Sequence, residues 1–320
     1  MIKVTLCALF IVVSIFSGAQ AQPNWPLTES TAFGSNPGNL KLFHYVPANL
    51  PEGAPLVVVA HGCTETAQDF ANTSGWPSLA NEYEFALVFP QTSTENEPAG
   101  GCFRTWEAAH QERGAGEPLS VKQMIDYMHT QFSISLDEVY MTGMSSGGHL
   151  TNVMLATYPD VFDAGAPESS FPYKCAIAMS ELATCAFGGK ILPAQQWGDL
   201  ARSGYPGYSG PRPEVQIWHG SVDPYIYLVN QYQLVKQWTN VHGIDAYADF
   251  GNLLLGQPRY FYKVPFGATK VETMTIQGMG HAIAVDPGVG PWQCGATGPY
   301  AADFNICSTY WIAVFFGLTS

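Results

Sequence analysis

One run limits what this chain can fold into more than any other: Val139-Tyr-Met-Thr-Gly143-Met-Ser145-Ser-Gly147-Gly148 passes from an apolar strand pattern directly into a helix pattern. A strand that turns into a helix without a loop requires a layered arrangement in which the helix packs back on its sheet. A serine at the apex of that turn stands clear of the sheet, and small residues two places before and after it leave room for the bend. Gly143 and Gly147 occupy those places around Ser145, whereas Ser146 lacks glycines at that spacing. Ser145 is therefore the candidate nucleophile. The rest of the chain repeats the alternation. Short β-branched and aromatic runs at 40–46, 56–60, 85–89, 139–142, 215–218 and 271–276 read as strands, and 121–132 and 149–158 have the apolar spacing of helices packed on them. Right-handed crossovers then predict an α/β fold: a mostly parallel, doubly wound sheet with helices on both faces.

The first residues bear on compartment. A basic start at Lys3, an uncharged apolar run from Val4 to Phe16 and the small-residue site Ala19-Gln20-Ala21 form the pattern of a secretory signal over 1–21. The apolar run is shorter than the ~20 residues a spanning helix needs, and nothing comparable follows, so no membrane span is expected. Residues 22–320 are expected to form a single catalytic domain of a secreted, extracellular protein. No repeat or linker divides them, and the Gly- and Pro-rich stretch 203–212 reads as a loop before a strand. Asn72-Thr73-Ser74 matches a glycosylation acceptor.

Of seven cysteines, Cys7 leaves with the signal, and Cys63, Cys102, Cys175, Cys185, Cys294 and Cys307 remain. An even number in an oxidising compartment suggests three disulfides. Sequence neighbourhood favours Cys175–Cys185 and Cys294–Cys307, which would leave Cys63 with Cys102. No Cys or His cluster has metal-ligand spacing, so no metal is expected. A net charge of −13 argues against nucleic acid as a partner. Charged residues are only 12% of the chain and aromatics 13%, which suits contact with a neutral polymer or simply a large core with neutral loops.

A serine hydroxyl needs a base to take its proton. His281 follows the 271–276 strand and the turn Gln277-Gly-Met-Gly280, late in the chain, where a Ser, Asp, His order puts the base. His149 competes by proximity to Ser145 but lies one turn into the following helix. His44 and His129 fall inside a strand and a helix pattern, and His110 and His242 in polar surroundings. The orienting acid is expected past the strand 215–218, where Asp223 lies; Asp245, Asp249 and Asp286 are less well placed substitutes. A tetrahedral intermediate needs two amide donors. One is that of Ser146, after the nucleophile. The other comes from the loop His61-Gly62-Cys63-Thr64 after an early strand, from Cys63 or Thr64.

At these residues the chain resembles the family that joins extracellular polyhydroxybutyrate depolymerases with the acetylxylan and feruloyl esterases of carbohydrate esterase family one. The likeness covers nearly all of 22–320. It rests on His61-Gly-Cys-Thr64, Gly143-Met-Ser-Ser-Gly147, the segment from Thr151 to Asp160, Gln216-Ile-Trp-His-Gly220 with Asp223, and Gly280-His281. The resemblance implies an α/β-hydrolase fold and a serine carboxylic ester hydrolase working through an acyl-Ser145 intermediate, with no cofactor. It puts the triad on Ser145, Asp223 and His281 and the oxyanion donors on the amides of Cys63 and Ser146.

The two branches pull apart. Phe33-Gly-Ser-Asn-Pro-Gly-Asn39 and Val235-Lys-Gln-Trp238 are similar to the sugar-ester esterases, and Val285-Asp-Pro-Gly288 and the tail from Cys294 to the depolymerases. The depolymerases usually add a linker and a binding domain, which do not appear in this sequence. Their Cys-Trp-Asn-Trp pattern reads Cys102-Phe-Arg-Thr-Trp106 here, which makes Arg104 and Trp106 candidate substrate contacts. Arg104 would suit sugar hydroxyls or a uronate carboxylate. Trp197 is a candidate cleft aromatic from the family pattern, or a core tryptophan. The partner expected is an ester-bearing polymer or oligomer, and acylated plant-type polysaccharide is favoured over the alternative, a polyhydroxyalkanoate. From another class, a non-catalytic secreted binding protein on the same fold is the rival reading.

Overall fold

The alternating pattern is realised as one ten-stranded sheet in a computed structural model that describes residues 23–319; the signal expected over 1–21 lies outside the described residues. The strands are β1 (Thr28–Ser30), β2 (Lys41–Tyr45), β3 (Leu56–Ala60), β4 (Ala86–Gln91), β5 (Val139–Met144), β6 (Ala164–Glu168), β7 (Glu214–Gly220), β8 (Phe250–Leu254), β9 (Gln257–Lys263), β10 (Thr269–Ile276), β11 (Ile283–Val285) and β12 (Ala301–Asp303). The helices are α1 (Ala67–Ser74), α2 (Trp76–Tyr83), α3 (Gly116–Phe132), α4 (Ser146–Thr157), α5 (Met179–Ala186), α6 (Ala194–Arg202), α7 (Val229–Val241) and α8 (Ser308–Phe315). Across the sheet the order is β1-β2-β4-β3-β5-β6-β7-β10-β9-β8. The middle, from β4 to β10, is parallel. Both margins are antiparallel. β11 and β12 form a separate parallel pair.

β3 reads Leu-Val-Val-Val-Ala because both of its faces are covered, and all five residues are buried. Successive side chains point to opposite faces. Leu56, Val58 and Ala60 join the apolar layer under α3, α4 and α7, with Met124, Leu150 and Trp238. Val57 and Val59 join the opposite layer under α1, α2 and α8, with Phe70, Trp76 and Ile312. The chain runs from β3 outward to β4 and then returns past β3 to β5, so the loops after β3 and β5 diverge. A crevice opens at their carboxyl ends, the place where sheets of this kind hold ligands.

All six expected strands are present, and the two expected helices start earlier, at Gly116 and Ser146. β6 went unread because Ala-Gly-Ala-Pro-Glu has no β-branched residue; its neighbours β5 and β7 hold it extended. The β8–β9 hairpin turns on Leu255 and Gly256, both at positive φ, and its mostly exposed first strand lacks an apolar face to read. Disulfides join Cys63 to Cys102, Cys175 to Cys185 and Cys294 to Cys307. Asn72 is half-buried on α1, its Oδ1 accepting from Trp25 N–H and Gln68. Among the described residues no helix is long and apolar enough to cross a membrane.

The core buries several ionisable groups. Desolvation pushes the carboxyls of Glu117 and Glu168 up to about 8. It pushes His61, His110 and His242 down to about 4 and His149 to about 3. A histidine whose folded pKa lies below 6.5 stabilises the fold fully above that pH and loses its contribution as pH falls toward 4. A carboxyl raised from 4.5 to about 8 binds its proton more tightly in the fold, so its contribution declines as pH rises through that window. Above pH 6.5 only the carboxyl limb remains, so these groups should lower stability from there toward pH 8. In thermal unfolding followed from pH 4 to 9, Glu168→Gln should flatten the alkaline limb, with its Tm advantage over the parent larger at pH 8 than at pH 5. An advantage independent of pH would place the buried charge elsewhere.

Candidate active site

The turn from β5 into α4 is forced by close approach. A Cβ on Gly147 would collide with the carbonyl oxygen of Ala60 at the end of β3, and one on Gly143 would lie 2.6 Å from the same oxygen. Only glycine lets the first turn of α4 press on β3. Ser145 between them adopts φ 58° and ψ −116°, a conformation disfavoured for a residue with a Cβ. The turn is held at both ends: Ser145 N–H donates to the Glu168 carbonyl at 2.9 Å, and its carbonyl accepts from His149 N–H at 2.9 Å.

His281 comes from the loop after β10 and Asp223 from the loop after β7, parallel neighbours in the sheet. Ser145 Oγ–H donates to His281 Nε2 at 2.9 Å, and His281 Nδ1–H donates to Asp223 Oδ2 at 2.7 Å. The other carboxylate oxygen accepts the amides of Tyr225 and Ile226, each at 2.9 Å. Burial opposes charge on Asp223, but the hydrogen bond from His281, the charge of that ring, the Ile226 amide and nearby His219 outweigh it and hold its pKa below the ordinary value. An ionised carboxylate only accepts, so the histidine proton sits on Nδ1 and the Nε2 lone pair faces the serine. The substitute acids are engaged locally: Asp245 accepts from Tyr247 N–H, Asp249 from Lys263 N–H and Asp286 from Gln293. His149 is fully buried, bonded to the Thr105 hydroxyl at 2.8 Å and packed 4.3 Å from the Phe171 ring.

The loop after β3 separates its amides. Thr64 N–H donates to the Gly100 carbonyl at 2.7 Å, Gly62 N–H to Glu65 Oε2 at 2.9 Å, and Glu65 N–H to the Gly62 carbonyl at 3.4 Å. Within the loop, Cys63 N–H is the amide left for a ligand beside Ser145. The Ser146 amide opens α4, where first-turn N–H groups lack helical acceptors and the helix dipole favours negative charge. A disulfide to Cys102 anchors Cys63.

Two cavities meet at Ser145. The more open, of about 280 Å³, is lined by Gly62, Cys63, Met144, His281, Tyr225 and Tyr300. Tyr225 and Tyr300 meet the His281 ring edge-on at 5.3 and 6.3 Å. The second, of about 140 Å³, is walled by the Cys63–Cys102 bridge, Thr105, Trp106, His149, Phe171, Leu182, Ala186 and Ile226. Sequence reasoning missed both tyrosines and Phe171. Tyr225 stands two residues past Asp223 and was findable on that ground, whereas Tyr300 arrives from the remote segment before β12 with no local signal.

Of the expected substrate contacts, Trp106 lines the apolar cavity. Trp197 does not. It is fully buried on the apolar face of α6 against α7, its indole N–H donating to Gln233 at 3.0 Å, and it is a core tryptophan. Arg104 lines neither cavity; its guanidinium lies 4.0 Å from Glu107, and its backbone N–H donates to Glu117.

Comparison with known proteins places this arrangement among esterases. The family model described as esterase PHB depolymerase matches residues 40–251. The chain is 46% identical over 311 residues to poly(3-hydroxyalkanoate) depolymerase C of Paucimonas lemoignei, covering 97% of this chain and 75% of that protein. It is 33% identical over 293 residues to the probable acetylxylan esterase A of Aspergillus fumigatus, covering 87% and 77%. The solved acetyl xylan esterase from Aspergillus awamori superposes with a TM-score of 0.74 at 30% identity, over 80% of this chain and 94% of that one.

If this hydrogen-bonded chain is a catalytic triad, Ser145→Ala and His281→Ala should each lower kcat on a short-chain chromogenic ester by about 10⁴-fold or more without loss of fold, and Asp223→Asn should come close, because triad members act as one unit. Asp245→Asn and Asp286→Asn should leave kcat unchanged. A larger loss in either control than in Asp223→Asn would move the acid.

Proposed function

The chain belongs to the esterase PHB depolymerase family, and from that premise we propose that Ser145, His281 and Asp223 are its catalytic triad and the amides of Cys63 and Ser146 its oxyanion hole. The protein is a carboxylic ester hydrolase. Ser145 Oγ attacks the ester carbonyl as His281 Nε2 takes its proton, and the carbonyl oxygen becomes an oxyanion facing the two amides. His281 then protonates the leaving alcohol oxygen, and an acyl-Ser145 ester remains. Water, deprotonated by the same nitrogen, attacks that ester and releases the acid. Asp223 holds the tautomer and stabilises the imidazolium throughout.

The substrate proposed is an aliphatic hydroxyalkanoate ester of polymer or oligomer. The observation that carries it is the apolar cavity opening at Ser145, walled by a disulfide, Trp106, Phe171, Leu182 and Ile226 with no carboxylate, lysine or arginine. A cavity near 150 Å³ holds a group about the size of benzene. Its 140 Å³ thus accommodates an acetyl or a four-carbon hydroxyacyl unit and is small for a feruloyl arm. Next in sequence to two of its lining residues, Ala186 and Ile226, the exposed rings of Phe187 and Tyr227 pack 5.2 Å apart. The sugar-ester expectation leaned in part on Arg104, whose guanidinium faces Glu107 instead. An acetylated xylan is the second reading, supported by the acetyl xylan esterase relatives and by a pocket that fits acetyl. Three disulfides support a site of action outside the cell, and one sheet shared by both main apolar layers supports a single catalytic domain.

At matched ester concentration, kcat/KM should be higher on hydroxybutyrate oligomers than on acetylated xylo-oligosaccharides, and lowest on feruloylated ones. Faster release of acetate would make the xylan reading the right one. Failure on all three, with binding retained, would point to a non-catalytic binding protein.

A further inference from the structure

The loop that carries Cys63 is held by groups outside the triad, and one of them is a half-buried carboxyl. Glu65 Oε2 accepts the Gly62 N–H at 2.9 Å, while the Gly62 carbonyl accepts His61 Nδ1–H at 2.6 Å and Glu65 N–H at 3.4 Å. His61 Nε2 in turn accepts Thr92 N–H at 3.3 Å, which puts the ring proton on Nδ1. We propose that Glu65 is a positioning residue for ester hydrolysis: by clamping the Gly62 amide it fixes the two successive peptide planes that aim Cys63 N–H at the oxyanion.

The reasoning is geometric. A trans peptide is planar, so its carbonyl and its N–H point in opposite directions. His61 and the Glu65 amide hold the carbonyl of the Gly62–Cys63 peptide, and the N–H of Cys63 is thereby turned the other way. That peptide can still rock about Gly62, the most permissive residue in the loop, unless the preceding peptide is held too. The Glu65 carboxyl holds it, through Gly62 N–H. Thr64, at φ 67°, is locked to the Gly100 carbonyl and fixes the far side. The clamp works in either ionisation state. Burial pushes the Glu65 carboxyl up to about 7, the Gly62 bond pulls it down and Asp69 adds to the rise, and both the acid and its anion keep an oxygen for the amide. His61, pushed down to about 4, stays neutral at working pH and keeps one donor and one acceptor. An oxyanion donor acts only as charge develops, so a loosened clamp should appear in kcat and not in KM.

The inference rests on the active-site reading above; a Ser145→Ala control reports on the nucleophile, and the affinity of a boronic-acid inhibitor, whose tetrahedral adduct needs the oxyanion amides, measured in the wild type against its substrate KM reports on the oxyanion hole separately. With a short-chain chromogenic ester, Glu65→Ala should lower kcat by about 10- to 100-fold with KM little changed. Glu65→Gln, which offers the same accepting oxygen, should recover most of the loss. If Glu65→Ala does not fold, Glu65→Met against Glu65→Gln makes the same comparison at near-equal length. Wild-type kcat in the variant without an acceptor, a loss confined to KM, or a glutamine variant no better than alanine or methionine would each overturn the clamp.

Discussion

The proposed catalytic site depends throughout on how closely the first turn of α4 sits against the end of β3. Gly143 and Gly147 admit the Ala60 carbonyl where any side chain would collide. That approach puts Ser145, the proposed nucleophile at the end of β5, and the loop after β3 within one cavity. It also explains why Ser145 tolerates its backbone strain: loosening the turn would surrender the packing of α4 on two strands and the hydrogen bonds at both ends of the serine. Strain of a kcal/mol or so is small beside a buried helix interface. The parallel neighbours β7 and β10 then deliver Asp223 and His281, the proposed acid and base, from adjacent loops, and the sheet sets their spacing.

Much of this was legible in the sequence because its signals are local. Strand, Gly-x-Ser-x-Gly and helix are contiguous, and the histidine and aspartate each follow an apolar strand run. β6 was not legible, since its five residues have no strand preference and owe their state to the strands on either side. The choice between Cys63 and Thr64 as donor was likewise undecidable, because it turns on the Gly100 carbonyl, which reaches the loop from another segment.

Substrate contacts were the least legible, for a physical reason. A tryptophan or an arginine carries the same composition signal whether it faces a cleft or a neighbour. Trp197 finds Gln233 on α7, and Arg104 finds Glu107 three residues on. Tyr300 and Phe171 reach the cavities at Ser145 from segments remote from it in sequence. The cavity walls are thus a property of packing among α5, the loop after β7 and the bridged Cys102 segment, and residue type alone does not encode it.

Buried carboxyls show how the fold chooses where to keep a charge. Glu117 and Glu168 are more deeply buried than Asp223, and desolvation pushes both up to about 8, so at neutral pH they are largely protonated. Glu117 accepts the Arg104 amide, and that bond and the nearby guanidinium do not offset its burial. Asp223 is somewhat less deeply desolvated and accepts two amides and a histidine N–H, and these outweigh its burial and favour the anion. In the proposed mechanism a carboxylate is useful beside His281 because the imidazolium would form there during turnover, and it would be a liability elsewhere in an apolar core. Donors supplied by the loop after β7 therefore settle which buried acid is ionised, and with it which histidine can serve as the base.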